Sequence, residues 1–421
     1  MADLLWPGDE RAGSLVSDGA LLAAMVQVEQ AWIDALASEG VAPSTADLGG
    51  LVGEDDVHAI AVGAEGGGNP VLGLVALLRE RLGDASAASW LHRGLTSQDV
   101  VDTALVLCVR DVLDRVQAEL RSQVDSLVRL AGAHRGSLMV GRTLAQHAVP
   151  TTFGLVAAIW LDGLVDAAEE VARVRAGLPA QLGGAAGTLA ASTELARLRG
   201  LADPEAASLL LVRTTAGALG LADTLPWHVR RTPITRIGDA LVTCTDAWGH
   251  LATDVVMLCR PEVGELAEPV AEGRGGSSTM PHKQNPVLSV LVRRAAIAAP
   301  ALAATLHTAS ALAVDQRPDG AWHAEWDTLR TLARRTVVAA SQTTELLAGL
   351  HVDHERMRRN LDAAGTDVLA ERDTMRRLHP SAVDETAAAD EADDEPVSYL
   401  GAAPLFVDAA LTRARTYLES A

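Results

Sequence analysis

Residues 105–127 read LVLCVRDVLDRVQAELRSQVDSL. Within them Leu105, Val109, Val112, Val116, Leu120, Val124 and Leu127 step by three or four, which lays them along one face of a helix. The same spacing recurs outward from there. Phe153, Val156, Trp160, Leu164, Val171 and Val174 mark a second long helix, and Ile234, Ile237, Leu241, Trp248, Leu251, Val255 and Leu258 a third. Segments 287–313 and 322–350 complete a set of five. Helices this long stand well above the globular mean of about 11–12 residues, and helices of matched length pack side by side as a bundle. Stripes this wide on several faces also call for cover from other subunits, so an obligate oligomer is expected.

Composition points the same way. The chain has 421 residues, 48% of them hydrophobic but only 3% aromatic, so alanine and leucine, both strong helix formers, must fill the core. That length exceeds one ordinary core. The expectation is an all-α protein of three helical domains: 1–100, a central long five-helix bundle over 101–350, and 351–421. The first hundred residues alternate short helical patterns with Gly/Pro loops such as 66–70, GGGNP. Residues 384–396 hold seven acidic side chains and no basic one, which reads as a solvated loop, and 404–418 closes the chain as a helix. No strand-rich region is expected.

A net charge of −20 argues against nucleic acid or an anionic membrane as partner. Met1 to Glu10 lacks the basic and apolar regions of a signal peptide, and no apolar run is expected to approach the ~18 uncharged residues of a membrane span. A cytoplasmic protein is expected. Cys108, Cys244 and Cys259 lie in apolar helical stretches without a CxxC pair, and read as buried, reduced thiols rather than a metal set.

Three segments carry chemistry. Residues 271–287, AEGRGGSSTMPHKQNPV, combine Gly273, Gly275 and Gly276 with Ser277, Ser278, Met280, Lys283 and Asn285, and Pro286 opens the next helix. Such a loop brings a hydroxyl, backbone N–H groups, an ammonium and an amide within short reach. That set suits a carboxylate whose negative charge grows during reaction. Lys283 is the only lysine among 35 basic residues, which fits a need for a compact point charge. Residues 91–104, LHRGLTSQDVVDTA, cluster Thr96, Ser97 and Gln98 before a long helix, with Asp99 as a first-turn acid. Residues 141–152, GRTLAQHAVPTT, place Arg142, Thr143, Gln146 and His147 ahead of Pro150, where the next helix would begin.

Together these segments resemble the fumarase/aspartase superfamily, whose loop GSSxMPxKxNP is matched by 276–286 and whose TSxD and GRTxxQ segments fall in the same order. The resemblance spans nearly the whole chain. Residues 68–71 (GNPV), 225–228 (LPWH), 262–265 (EVGE) and 320–326 (GAWHAEW) are most similar to the 3-carboxy-cis,cis-muconate cycloisomerase branch. Adenylosuccinate lyases share the loop, but this chain lacks their early-loop histidine and has Leu144 where they carry a histidine after Arg-Thr.

The resemblance implies a reaction that makes or breaks a C–O or C–N bond β to a carboxylate through an aci-carboxylate, with no cofactor or metal. It implies Ser277 as base and Lys283 as catalytic cation. Arg93, Thr96, Ser97, Gln98, Arg142, Thr143, Gln146, Ser278, Met280 and Asn285 would hold a small polycarboxylate substrate. It further implies a homotetramer whose sites are shared between subunits. Leucine transfers no proton, so His92 and His147 are the acid candidates on chemical grounds. Gln284 stands where relatives commonly have a basic residue.

The first expected activity is lactonisation of 3-carboxy-cis,cis-muconate in aromatic catabolism, the β-ketoadipate pathway. An alternative is a C–N or C–O lyase eliminating from a substituted succinate, of the nitrosuccinate or adenylosuccinate type. The third reading is a non-catalytic protein that keeps the fold, against which stands the intact Ser277, Lys283 and Asn285 set.

Overall fold

The computed structural model describes residues 3–378 and 395–420; most of the acidic segment 384–396 lies outside them. The helices are α1 (Asp18–Ser38), α2 (Val57–Gly67), α3 (Val71–Arg81), α4 (Ser97–Ala133), α5 (Phe153–Ala176), α6 (Ala190–Leu198), α7 (Pro204–Ala218), α8 (Thr232–Leu258), α9 (Val287–Ala311), α10 (Gly320–Ala348), α11 (His354–Ala363) and α12 (Ala403–Ser420). Short turns of helix lie between several of them. The fold is all-α, and α4, α5, α8, α9 and α10 are the five long helices that the apolar periodicity predicts.

The chain divides into two compact units: 1–116, 171–242 and 298–338 in the first, and 117–170, 243–297 and 339–421 in the second. Each of the five long helices contributes a stretch to both. In unit 1, α8 and α9 approach closely at Gly238, where an added Cβ would stand 2.9 Å from Leu306. Arg175 on α5 pairs with Asp114 on α4. In unit 2 the corresponding approach of α8 and α9 is at Gly249, 2.5 Å from the Ala296 methyl by the same measure. Buried Gln123 on α4 there donates to Ala340 O on α10 (2.9 Å) and accepts from Trp248 Nε1 on α8 (2.7 Å). Trp160 on α5 donates to Asp254 on α8 (2.8 Å). A buried polar residue that meets defined partners fixes helix register more sharply than apolar contact can.

Expecting helix and loop alone fails at 138–152. Strands β1 (Leu138–Thr143) and β2 (Gln146–Thr152) form an antiparallel hairpin in which Pro150 faces Val140, and α5 starts only at Phe153. Thr143 pairs with Gln146, so Leu144 and Ala145 alone make the turn, both with positive φ (49° and 63°). Two left-handed residues give the backbone twist that suits a two-residue hairpin. Asn-Gly is the usual signal for it, and Leu-Ala carries none. A second small pair, β3 (Leu266–Ala267) with β4 (His351–Val352), is also antiparallel.

The expectation of no long uncharged run is corrected as well. Residues 295–314 contain no Asp, Glu, Lys or Arg. Both α1 and α9 are long and apolar enough to cross a membrane by length and composition. The apolar window of α1 is 56% buried within the chain, and α9 carries Pro300 inside it and a bond from His307 to Asp239.

Two predictions follow from these elements. Replacing Leu144-Ala145 by Asn-Gly relieves two left-handed L-residues and should stabilise unit 2 by about 1 kcal/mol or more in denaturant unfolding. Burial pushes the Cys108 thiol up to about 12 and the half-buried Cys259 thiol up to about 11, and raises Cys244 as well. The native protein should therefore take up no iodoacetamide near neutral pH, whereas the unfolded chain labels at all three cysteines.

Candidate active site

In unit 1 the 91–96 loop runs into α4. Its shape needs close packing: an added Cβ on Gly94 would stand 3.2 Å from the Trp32 ring, and Trp32 Nε1 donates to Arg93 O (2.7 Å). The Arg93 side chain is exposed and donates back to Ser89 O (2.8 Å). His92, also in a left-handed conformation, meets fully buried Glu29 through Nδ1 at 2.6 Å, and its Nε2 has no partner among the described residues. Thr96 and Ser97 are buried at the helix start, and Arg317 donates to Thr96 Oγ1 (2.9 Å). Gln98 is pinned, donating through Nε2 to Asp102 (3.1 Å) and to His228 O (2.9 Å).

Asp99 does more than a first-turn acid. It accepts from Thr96 N–H (2.9 Å), so it caps the helix, and it also accepts from Gly183 N–H (3.0 Å), Gly184 N–H (2.9 Å) and Gln181 Nε2 (3.0 Å). His228 Nε2 lies 3.1 Å from the same carboxylate. One turn further along α4, Asp102 and Glu325 share buried Arg231 at 2.6 and 2.5 Å, and Trp322 Nε1 donates to Asp102 (2.8 Å). Burial opposes the Arg231 charge, yet Asp102 and Glu325 outweigh it and hold the guanidinium above its ordinary range. Burial raises the Glu325 carboxyl, with Arg231 pulling the other way. These residues were not among the expected site residues. Two acids three apart inside the apolar start of a helix were the available signal, since buried carboxylates demand partners.

In unit 2, Arg142 makes a two-pronged ion pair with fully buried Glu265, Nη2 to Oε1 at 2.7 Å and Nη1 to Oε2 at 3.0 Å. Asn360 on α11 donates to the same carboxylate (2.7 Å). The guanidinium expected to hold substrate thus anchors the hairpin to residues 265 and 360. Thr143, Gln146 and His147 are exposed beyond it, and Leu144 at the tip is 98% exposed. Gln146 and His147 line a cavity of about 340 Å³ with Asp367.

The glycine-rich loop is also in unit 2. Its neck closes where Asn285 donates through N–H and Nδ2 to Gly275 O (2.8 and 2.9 Å). An added Cβ on Gly275, which has φ 73°, would meet Asn285 O at 2.8 Å. Arg274 pairs with Glu345, and Glu268 accepts from Leu288 N–H (3.0 Å) and Ser289 N–H (2.7 Å), capping α9. Pro286 thus precedes the helix as expected. Between these anchors, Ser277 Oγ accepts from Thr279 N–H (3.4 Å) and Met280 N–H (3.2 Å). Ser278, Met280 and Lys283 are exposed, and Lys283 has no ion pair among the described residues. A hydroxyl faced by two backbone N–H dipoles has donors in place that would stabilise an oxyanion. Among the described residues of unit 2, no hydrogen bond or ion pair joins 141–152 to 271–287. No group of His, Cys, Asp and Glu able to hold a metal occurs among the described residues.

Comparison with known proteins follows the same lines. A family model described as lyase matches residues 25–300. The chain is 47% identical over 364 residues to a nitrosuccinate lyase of Streptomyces davaonensis, covering 85% of this chain and 76% of that one. It is 39% identical over 362 residues to a 3-carboxy-cis,cis-muconate cycloisomerase of Bradyrhizobium diazoefficiens, covering 84% and 77%. The crystal structure of the 3-carboxy-cis,cis-muconate lactonizing enzyme of Pseudomonas putida superposes with a TM-score of 0.81 at 30% identity, covering 96% of this chain and 97% of that one.

The Arg142–Glu265 pair generates a stability prediction. Arg142→Ala strands a buried carboxylate on Asn360 alone and should cost roughly 3–5 kcal/mol in denaturant unfolding, whereas Glu265→Ala frees a guanidinium that can turn to solvent and should cost less. Equal losses would place the stabilisation elsewhere.

Proposed function

The chain belongs to the fumarase/aspartase superfamily of lyases, and we propose that it eliminates nitrite from a nitrosuccinate-type substrate to give fumarate. The observation that carries this reading is the 47% identity to the nitrosuccinate lyase, against 39% to the cycloisomerase, and Leu144, the exposed tip of the hairpin where many relatives carry the acid histidine, agrees with it. An amine or a hydroxide needs a proton as it departs. Nitrite leaves as a stabilised anion and needs none, so a site without an acid at that position still turns over. The similarity to the Streptomyces lyase supports the same leaving group.

In this reaction Ser277, as alkoxide, takes the proton α to one carboxylate. The C–H electron pair enters the aci-carboxylate, then forms the C=C bond as the C–N bond breaks and nitrite departs with that bond's electrons. Thr279 and Met280 N–H groups stabilise the Ser277 oxyanion, and Lys283 faces the carboxylate as its second charge develops. Thr96, Ser97, Thr143 and Gln146 hold the carboxylates, with no cofactor. Arg142 acts as the anchor of the hairpin that carries two of them. His92, His147, Arg93, Gln98, Ser278, Met280 and Asn285 stay within the proposed site as neighbours of these groups.

Lactonisation of carboxymuconate is the second reading, favoured by the superposition on the lactonizing enzyme. Its leaving group in reverse is a carboxylate, which equally needs no acid. The reading includes a cytoplasmic homotetramer with shared sites and the three-domain division at 100 and 350. Exposed Ile159, Met257, Val290 and Ile297 on unit 2 support such an assembly, as surface that other subunits would cover.

The test is to incubate the purified oligomer with nitrosuccinate and follow nitrite colorimetrically alongside the rise of fumarate absorbance. Ser277→Ala should abolish both without changing the oligomer. Lys283→Arg should cut kcat by about 100-fold or more, because a planar guanidinium does not replace a compact ammonium. No nitrite, with loss of diene absorbance from 3-carboxy-cis,cis-muconate, would instead select lactonisation.

A further inference from the structure

Arg317 lies in unit 1 on the stretch between α9 and α10, directly before buried Pro318. The proline confines the Arg317 backbone to extended conformations. The side chain is half-buried and placed by two contacts. Its Nη1 donates to Thr96 Oγ1 (2.9 Å), and its guanidinium lies over the Trp322 ring, 5.5 Å from the centroid and within cation–π range. Trp322 is only 3% exposed and donates to Asp102 (2.8 Å), so the indole under Arg317 is itself fixed.

A guanidinium has five N–H donors, and Arg317 uses one of them on a protein acceptor. Among the described residues no acid pairs with it, although Asp315 and Asp319 flank it in sequence. Thr96 Oγ1 accepts from Arg317, which leaves the Thr96 hydroxyl hydrogen to donate elsewhere. The next residue, Ser97, is only 8% exposed, and its hydroxyl has no hydrogen bond among the described residues. A buried hydroxyl without a partner and a half-buried cation without a counter-charge are both costly. One ligand relieves both. The two oxygens of a carboxylate match the guanidinium fork, and their remaining lone pairs can accept from the two hydroxyls. A nitro group has the same shape but brings no full charge to neutralise the guanidinium.

We propose that Arg317 is a substrate-binding residue whose guanidinium, with the Thr96 and Ser97 hydroxyls, takes one carboxylate of the dicarboxylate substrate. This rests on the elimination reading for the identity of the ligand, whereas the site itself calls only for a carboxylate. Under that reading Lys283 meets the carboxylate that becomes the aci-carboxylate. Arg317 then takes the other, on the carbon that bears the nitro group. The charge on that carboxylate does not change as the C–H and C–N bonds break, so the contact is made equally before and during reaction. It therefore acts on KM more than on kcat.

Succinate and 3-nitropropanoate are the probes, titrated calorimetrically into the full-length oligomer; the second lacks the carboxylate assigned to Arg317. Arg317→Gln should weaken succinate about 10- to 100-fold and raise KM for nitrosuccinate to a similar extent, with the loss falling mainly on KM. It should leave 3-nitropropanoate affinity unchanged within about twofold, which a general disturbance of the site would not do. Arg317→Lys keeps the charge without the fork and should recover part of the lost succinate affinity. It also tests the site where Arg317→Gln fails to fold. Equal weakening of both probes, or wild-type succinate affinity in either folded variant, would overturn the proposal. A fall in kcat with KM unchanged would also overturn it, by placing the guanidinium on the departing nitro group. Succinate binding that depends on Arg317 in a protein releasing no nitrite would sink the elimination reading and leave this site standing. Nitrite release by Arg317→Gln at the wild-type KM would do the reverse.

Discussion

One guanidinium in unit 1 holds two carboxylates with almost no access to water: Arg231, between Asp102 and Glu325. Taking three charges out of solvent is costly, and attraction offsets the cost only when the remaining lone pairs are filled. Here they are. Asp102 accepts from both Arg231 Nη groups, from Trp322 and from Gln98, so its oxygens are saturated by four donor groups from three stretches of chain. Removing any one partner would strand a buried charge. The arrangement therefore constrains the start of α4, the 228–231 segment and the start of α10 together. Asp99 lies three residues before Asp102 on the same helix and is locked by its own five donors. Thr96, Ser97 and Gln98 inherit their position from this pair of acids.

Unit 2 meets a different requirement by a different device. Under the proposed reaction its glycine-rich loop would carry a base that is strong only when water is excluded, which calls for a loop that opens and closes. The structure divides the labour along the sequence. Glu268, Arg274, Gly275 and Asn285 fasten the base of the loop through ion pairs and backbone bonds, while Ser277, Ser278 and Lys283 lie on the part between. Asn285 ties the neck of the loop by donating through N–H and Nδ2 to Gly275 O. Arg142 does the same for the hairpin through Glu265.

What was legible in the sequence follows from how local each signal is. The five long helices appear at nearly their final bounds because apolar spacing of three and four is a property of neighbouring residues. The loop 276–286 is recognisable because its chemistry is concentrated in eleven consecutive positions. The hairpin at 138–152 was hidden: its turn uses Leu144 and Ala145 in left-handed conformations that their side chains disfavour, and Pro150 suggested a helix start. The uncharged run 295–314 is broken by polar His307 and by Pro300, neither of which adds a full charge.

The amino-acid sequence by itself determined the helical class, the family and the segments that carry chemistry, since periodicity and contiguous motifs need no knowledge of distant residues. Tertiary structure alone decided which polar groups are already committed. Glu29 on His92, Glu265 on Arg142 and Asp99 on His228 lie 63, 123 and 129 positions apart along the chain. A buried charge must find a partner somewhere, but only the packing of the helices determines which one comes within hydrogen-bonding distance, and so which side chains remain for a substrate.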